Sequence, residues 1–311
     1  MKRVHKTIYS HVRPASTEPV HWIGVKILHQ SSNETSRART FLQDLLHCRL
    51  RSSYKNQLAY MSRQLFYKIW NPYLIKNCTP IKSCADPVYV SKMCREANLH
   101  VGKIIRLSLK WAWSLLQDDG LDLQIIYLVR DPRATFASRA HVSFCHDVTC
   151  KDPKKVCELI EDDLMVASKM QEAFPHRFKL IQYERFNRNA ERSLLDLMMF
   201  LGFSSLSQKQ LDLLYPKTLK PDDPFVTNKN SSTMVDRWRT KTDFANVQAV
   251  QEACAKPISM LGLRVFQCHK STSLQIHNSN VKHEEIIGSA PDSRRLGILE
   301  APVIQRKKPT L

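Results

Sequence analysis

The sequence predicts an α/β fold: a central parallel sheet flanked by helices. Two observations carry that prediction. Residues 123–129 (LQIIYLV) form a nearly continuous run of β-prone apolar residues, as expected of a strand covered on both faces in a parallel sheet. Around it, segments with helical spacing (108–117, 134–140, 152–174, 190–201) alternate with strand-like ones (123–129, 178–183). That order is typical of parallel strands joined by crossover helices.

Residues 1–16 read as an irregular N-terminus, 17–270 as the folded domain and 271–311 as a disordered basic tail in which apolar periodicity fades. Within the domain, 40–50 (TFLQDLLHCRL) has helical spacing and 56–69 continues as a second helix. Residues 71–87 carry Pro72, Pro80 and Pro87 and read as loop, and 101–105 as a short strand. In 108–117, Trp111, Trp113 and Leu116 mark the packing face. The helix at 190–201 stops at Gly202, and 247–261 is helical, with a kink expected at Pro257 and a stop at Gly262.

The 311 residues are 43% hydrophobic and 24% charged, the composition of a globular chain with a real core. Lys+Arg 47 against Asp+Glu 29 leaves +18, a surplus that implies an anionic partner: nucleic acid, acidic lipid, a phosphorylated cofactor or an acidic glycan. Helix-turn-helix, zinc-finger and aromatic RNA-binding patterns are missing, so nucleic acid is not the expected partner. The nine cysteines include no CxxC pair and suit disulfides better than a metal. Sequons begin at Asn33, Asn77 and Asn230, which leans toward a lumenal or secreted protein. Residues 1–20 nevertheless lack the apolar core of a signal peptide, and no apolar run is long enough to cross a membrane. The expectation is therefore a cytosolic chain, or one whose true N-terminus is missing.

The chemistry concentrates at 130–139. Arg130-Asp131-Pro132-Arg133 follows the buried strand directly. Asp131 is a suitable N-cap and Pro132 suits the first helical position. A helix N-terminus at the carboxyl end of a parallel strand is a ready anion site. Arg130 and Arg133 add planar forks that match phosphate, and Ser138 adds a hydroxyl donor.

From Ile126 to Ala134, with Ser138-Arg139, the sequence closely resembles the 3′-phosphate-binding motif of sulfotransferases. The RDPRA form is most similar to the Golgi carbohydrate sulfotransferases that modify the 6-hydroxyl of N-acetylglucosamine or galactose. The resemblance runs from about Thr17 to Phe266. It includes Glu18-Pro19-Val20-His21, the Cys84–Cys94 region, His100 to Arg106 (HVGKIIR), Tyr183-Glu184-Arg185-Phe186, Phe200-Leu201-Gly202 and Trp238-Arg239. It implies a P-loop-like sulfotransferase fold and a sulfuryl donor, 3′-phosphoadenosine-5′-phosphosulfate (PAPS), whose 3′-phosphate Arg130 and Ser138 would grip. It also implies a glycan or glycosaminoglycan acceptor and a place in the Golgi lumen. Family members are membrane-anchored, and a homodimer is among the assemblies the resemblance allows.

Other roles follow in turn. Trp238 has two readings, stacking on adenine or packing on the domain edge, and Arg239 either holds phosphate or faces solvent. Glu18 is the candidate catalytic base, with His21 behind it, and Lys103 and Arg106 are candidates to face the acceptor or the sulfonate. Sulfuryl transfer requires no metal. One departure stands out: nothing before Glu18 matches the family's glycine-containing phosphosulfate loop, so its first strand is expected to be missing. A single oxyanion donor is worth about 2.7–4 kcal/mol of transition-state stabilisation, so loss of several predicts little activity for this chain. The alternative is a non-catalytic binder of nucleotide or acidic glycan that uses the same basic face.

Overall fold

A computed structural model describes residues 20–26, 32–62, 84–105, 107–140, 148–208, 210–211, 235–267 and 301–306, together with Leu74 and Cys78. The irregular N-terminus and the loop ending before 84 lie largely outside these residues. Contacts divide the chain into two compact units. One comprises Pro14–Tyr127, Met170–Lys179 and Glu300–Leu311; the other comprises Met1–Arg13, Leu128–Lys169 and Leu180–Leu299.

The first unit is built on the sheet. In chain order its elements are β1 (Val20–Lys26), α1 (Ser32–Leu46), α2 (Lys55–Ser62), α3 (Pro87–Glu96), β2 (Leu99–Ile105), α4 (Leu109–Leu116) and β3 (Asp122–Val129, ending just inside the other unit). Strand β4 (Phe178–Gln182) starts here, and β5 (Ala301–Arg306) closes the series. The five strands lie in the order β1-β2-β5-β3-β4.

Strands β1 and β2 pair in parallel from Val20↔Leu99 to Lys26↔Ile105. Both β2 and β3 pair antiparallel with β5, so they run in the same direction with one opposed strand between them. The expected α/β architecture with parallel strands is present, and β5 adds one antiparallel strand to it. The expected tail differs, because Ala301–Arg306 forms the central strand of the sheet. Apolar periodicity could not show this, since the segment reads APVIQR and gains its place only by pairing with strands almost 200 residues earlier in the chain.

The largest fully buried side chains belong to this unit, among them Leu42, Leu45 and Leu46 of α1, Leu115 and Leu116 of α4, Leu123 and Ile125 of β3, and Phe178. Helix α4 buries Leu109, Ala112, Leu115 and Leu116. Trp111 and Trp113 are only half-buried, which corrects the packing face expected from the tryptophans. Trp113 meets Phe174 edge-on, with centroids 5.4 Å apart. The Arg177 guanidinium donates to the carbonyls of Leu116, Leu121 and Leu123, fastening the α4–β3 connection. The helix α3 escaped the sequence reading although its start is marked: Asp86 accepts from the amides of Val88 and Tyr89, and Pro87 takes the first helical position.

The second unit runs from the end of β3 into α5 (Pro132–Arg139), α6 (Val148–Lys151) and α7 (Pro153–Ala173, whose last residues pack in the sheet unit). The end of β4 leads into α8 (Tyr183–Arg188) and α9 (Ala190–Phe200). Helices α10 (Trp238–Lys241), α11 (Phe244–Ala253) and α12 (Ala255–Met260) follow. Gly202 and Gly262 end their helices with φ of 77° and 60°. The break expected at Pro257 falls at Cys254 instead. The physical reason is that a proline ring clashes with the carbonyl four residues before it, here Ala253, so the chain breaks one turn upstream.

Disulfides join Cys48–Cys94, Cys78–Cys84 and Cys157–Cys254. The last pins α7 to the junction between α11 and α12, closing a separation of 97 residues.

Removing residues 301–311 leaves the facing edges of β2 and β3 unpaired. At about 1 kcal/mol per ladder hydrogen bond lost, we expect several kcal/mol of destabilisation and edge-driven aggregation. Thermal unfolding followed by circular dichroism, with light scattering, measures both; a truncated chain that melts like the full one contradicts the role given to β5.

Candidate functional site

The site begins where β3 ends. Ile125, Ile126, Tyr127 and Val129 are buried, so the strand is fixed and the following turn inherits its position. At that turn Asp131 caps α5: its Oδ1 accepts from the backbone N–H of Arg133 at 2.9 Å. Pro132 takes the first helical position, as the sequence predicts. The backbone carbonyl of Asp131 accepts from the amide and the hydroxyl of Thr135.

Arg133 and Asp131 form a buried ion pair, each with a side chain no more than 3% exposed. Arg133 Nε donates to Asp131 Oδ1 at 2.9 Å and Nη2 to Asp131 Oδ2 at 2.8 Å. The remaining nitrogen, Nη1, donates to Gln251 Oε1 and to the carbonyl of Arg264, each at 2.7 Å. Gln251 in turn bonds both backbone polar groups of Phe266. The guanidinium carbon lies 4.6 Å from the Phe266 ring centre and 5.3 Å from that of Trp238. Arg133 thus ties the turn to α11 and to the segment after α12. Its donors face protein acceptors.

Trp238 is 5% exposed and packs with Ala134, Val247 and Phe266. This placement corresponds to the packing reading rather than a ring open to stack on a base. Arg239 is half-buried and pairs with Asp236 at 2.9 Å. Burial holds its guanidinium below the usual arginine range, opposed by Asp236. Its Nε is buried without a hydrogen-bond partner.

Arg130 differs from Arg133. It is half-buried, its guanidinium carbon sits 5.0 Å over the Tyr183 ring, and its Nε is buried with no hydrogen-bond partner. Tyr183 begins α8, so the end of β4 presents an aromatic face to the arginine that ends β3. Burial raises the Tyr183 hydroxyl above its ordinary pKa.

Glu184, next along, is only 5% exposed. Its Oε1 accepts the backbone N–H of Asp131 at 2.9 Å, and its Oε2 is buried without a partner. Burial, and then the negative charge of Asp131, push its pKa from 4.5 to about 7. The Asp131 N–H and the Arg130 charge pull the other way. The sequence reading names Glu184 only within the Tyr183–Phe186 segment of the resemblance; its position two residues past the end of a strand was the available signal.

Ser138 is exposed on the second turn of α5. Lys103 lies on β2 in the sheet unit, paired with Gly24 and Pro302. Glu18, His21's side chain and Arg106 fall outside the described residues. So the second unit brings together Arg130, Arg133, Trp238 and Arg239 with Asp131 and Glu184. One group has metal-ligand geometry among the described residues, Cys48, Cys94 and His100, with candidate atoms within 4.8 Å. Its two sulfurs are bonded to each other.

The strand, capped turn and helix lie within residues 112–262, which match the family model described as the sulfotransferase domain. The similarity extends to curated relatives. Carbohydrate sulfotransferase 4 of Mus musculus is 27% identical over 195 residues, covering 56% of this chain and 50% of the relative. Carbohydrate sulfotransferase 3 of Mus musculus is 26% identical over 220 residues, covering 64% and 46%. Carbohydrate sulfotransferase 6 of Homo sapiens is 26% identical over 213 residues, covering 60% and 53%. The chain carries a segment similar to the sulfotransferase domain and is similar to carbohydrate sulfotransferases, and it spans about half the length of the curated relatives it matches.

Two outcomes follow. Arg133→Ala leaves Asp131 a buried, unpaired charge and frees Gln251 from the turn, so we expect about 3–5 kcal/mol of lost stability in denaturant titrations. Glu184 keeps its proton to higher pH in the folded protein than in the unfolded chain. Its contribution to stability is present below about pH 4.5 and is lost as pH rises through about 7. At pH 8, Glu184→Gln is therefore expected to melt above the wild type, by the equivalent of about 3 kcal/mol, and the gap closes at pH 4.5. Equal melting temperatures at both pH values contradict the assignment.

Proposed function

We propose that the protein transfers a sulfuryl group from PAPS to a carbohydrate hydroxyl, the 6-hydroxyl of N-acetylglucosamine or galactose in a glycan or glycosaminoglycan. The observation that carries the reading is Arg130: a guanidinium at the strand-to-helix turn with a buried Nε that no group among the described residues satisfies. A phosphate oxygen is a matching acceptor, because charge-assisted N–H···O bonds are the strongest kind such a donor makes.

When bound, PAPS supplies an activated sulfonate whose sulfur accepts the sugar oxygen as the phosphate departs. The residues described here serve its nucleotide end. Arg130 binds the 3′-phosphate, with the Tyr183 ring holding the guanidinium flat. Ser138 contributes a hydroxyl from α5. Arg133 is assigned a supporting part: with its donors on Asp131, Gln251 and Arg264, it fixes the turn and does not touch the ligand. Trp238 supports the same turn by packing, and Arg239 contributes positive charge beside it. Glu18 and Lys103 stay proposals for the acceptor side, as base and as cation.

The disulfides among the described residues are compatible with an oxidising compartment, and we place the protein in the Golgi lumen, where glycan acceptors are processed.

Calorimetric titration with adenosine 3′,5′-bisphosphate is the first test. Arg130→Ala should lose about 10- to 100-fold in affinity, the worth of 1.5–3 kcal/mol of charged hydrogen bonding. Transfer from radiolabelled PAPS to a glycan ending in N-acetylglucosamine then separates an enzyme from a binder. Wild-type-like binding by Arg130→Ala overturns the assignment of the phosphate site.

A further inference from the structure

Glu184 is a buried carboxyl without a full set of partners, placed where the proposed phosphate site is built. It is 5% exposed, Oε1 receives the Asp131 amide, and Oε2 has no hydrogen-bond partner. The amide it receives belongs to the residue that follows Arg130 and caps α5. Its neighbour Tyr183 carries the Arg130 guanidinium on its ring. One side chain therefore touches the backbone that aims Arg130 and lies within the electrostatic reach of its charge.

We propose that Glu184 is a positioning residue for the phosphate ligand of Arg130, and that it takes up a proton when that ligand binds. The inference rests on the reading of Arg130 as the phosphate-binding cation.

The charges around Glu184 decide the sign. From the β3–α5 turn it faces Arg130 and Asp131, and on its own helix Tyr183 precedes it. Beyond Asp131 stand Arg133, bound to it, and Arg239, paired with Asp236. Arg188 of α8 also meets Asp236, and Arg185 is exposed. The Asp131 charge is already matched by Arg133, so Arg130 is the cation whose field a Glu184 anion would share with an arriving phosphate.

Two anions cannot both draw fully on one guanidinium. With Glu184 neutral, its Oε2 carries the proton, Oε1 still accepts the Asp131 amide, and the whole Arg130 charge meets the phosphate. With Glu184 ionised, the phosphate enters beside a fixed negative charge. Binding above neutral pH therefore draws one proton from the buffer onto Oε2. The pKa of the group, raised from 4.5 to about 7, sets the window in which this matters.

The experiment is a calorimetric titration of the full chain with adenosine 3′,5′-bisphosphate from pH 6 to pH 8.5, using the wild type, Glu184→Gln, Glu184→Ala and Arg130→Ala. Glu184→Gln keeps the acceptor and cannot ionise, so it also cancels the ligand's own titration. The expected result is equal affinity of wild type and Glu184→Gln at pH 6, and wild type about tenfold weaker at pH 8.5, the effect of one pKa unit. Glu184→Ala, which abandons the Asp131 amide, is expected to bind more weakly than Glu184→Gln at every pH.

The wild type alone gives a second reading. At pH 8, where the phosphate is already a dianion, titrations in buffers of different ionisation enthalpy should show net proton uptake. Parallel pH curves for wild type and Glu184→Gln, or no proton uptake, with binding still lost in Arg130→Ala, overturn this inference and leave the Arg130 reading intact. A folded wild type that does not bind the nucleotide overturns both.

Discussion

The ion pair between Asp131 and Arg133 is the interaction on which the candidate site depends. A carboxylate and a guanidinium this deeply buried are costly to remove from water, and such a pair is tolerated only when nearly every donor and acceptor is matched. Here the matching extends well beyond the pair. Asp131 also caps the helix, and Arg133 also bonds Gln251 and the Arg264 carbonyl. Four parts of the chain, the end of β3, the start of α5, α11 and the segment after α12, are held through one planar group. The fixed geometry of guanidinium makes that possible in a way a lysine could not reproduce.

Against this satisfied centre, the neighbouring polar atoms are conspicuous by contrast. Arg130 Nε, Arg239 Nε, Gln182 Oε1 and Glu184 Oε2 are buried without a hydrogen-bond partner. Each such atom costs on the order of 1–3 kcal/mol if left dry. Three of the four come from the ends of β3 and β4 or from the first turn after β4. Strain of this kind is tolerated where a ligand completes the network, and an anion would satisfy the arginines while a proton would satisfy Glu184. The ends of parallel strands, where helices begin, are also where α/β folds place their ligands.

Much of this was legible in the sequence, for a definite reason. The 123–129 strand, the cap at Asp131 and the proline after it are local signals, each readable within a few residues. So were the starts and stops at Gly202 and Gly262. Cys78 finds Cys84 close by, but Cys48 finds Cys94 and Cys157 finds Cys254 across the fold, and nothing local to those four residues marks the pairing. The helix break near Pro257 was legible in kind and displaced by one turn. Strand β5 was hidden because pairing partners, and not its own composition, make it a strand.

The arginines show where sequence reasoning ends. Arg130 and Arg133 stand three residues apart in one motif, carry the same charge and offer phosphate the same fork. Nothing local separates them. The separation is made by Gln251, 118 positions from Arg133, together with the Arg264 carbonyl, which occupy the donors of one arginine and leave the other with an unsatisfied nitrogen. The same motif therefore contains both the clamp that sets the turn and the cation that the turn presents. On the proposed reading, a change to Arg133 should act on ligand binding through stability and geometry, and a change to Arg130 through direct contact. The two residues are alike in sequence and opposite in role because burial assigns a guanidinium to whichever acceptors the rest of the fold brings within reach.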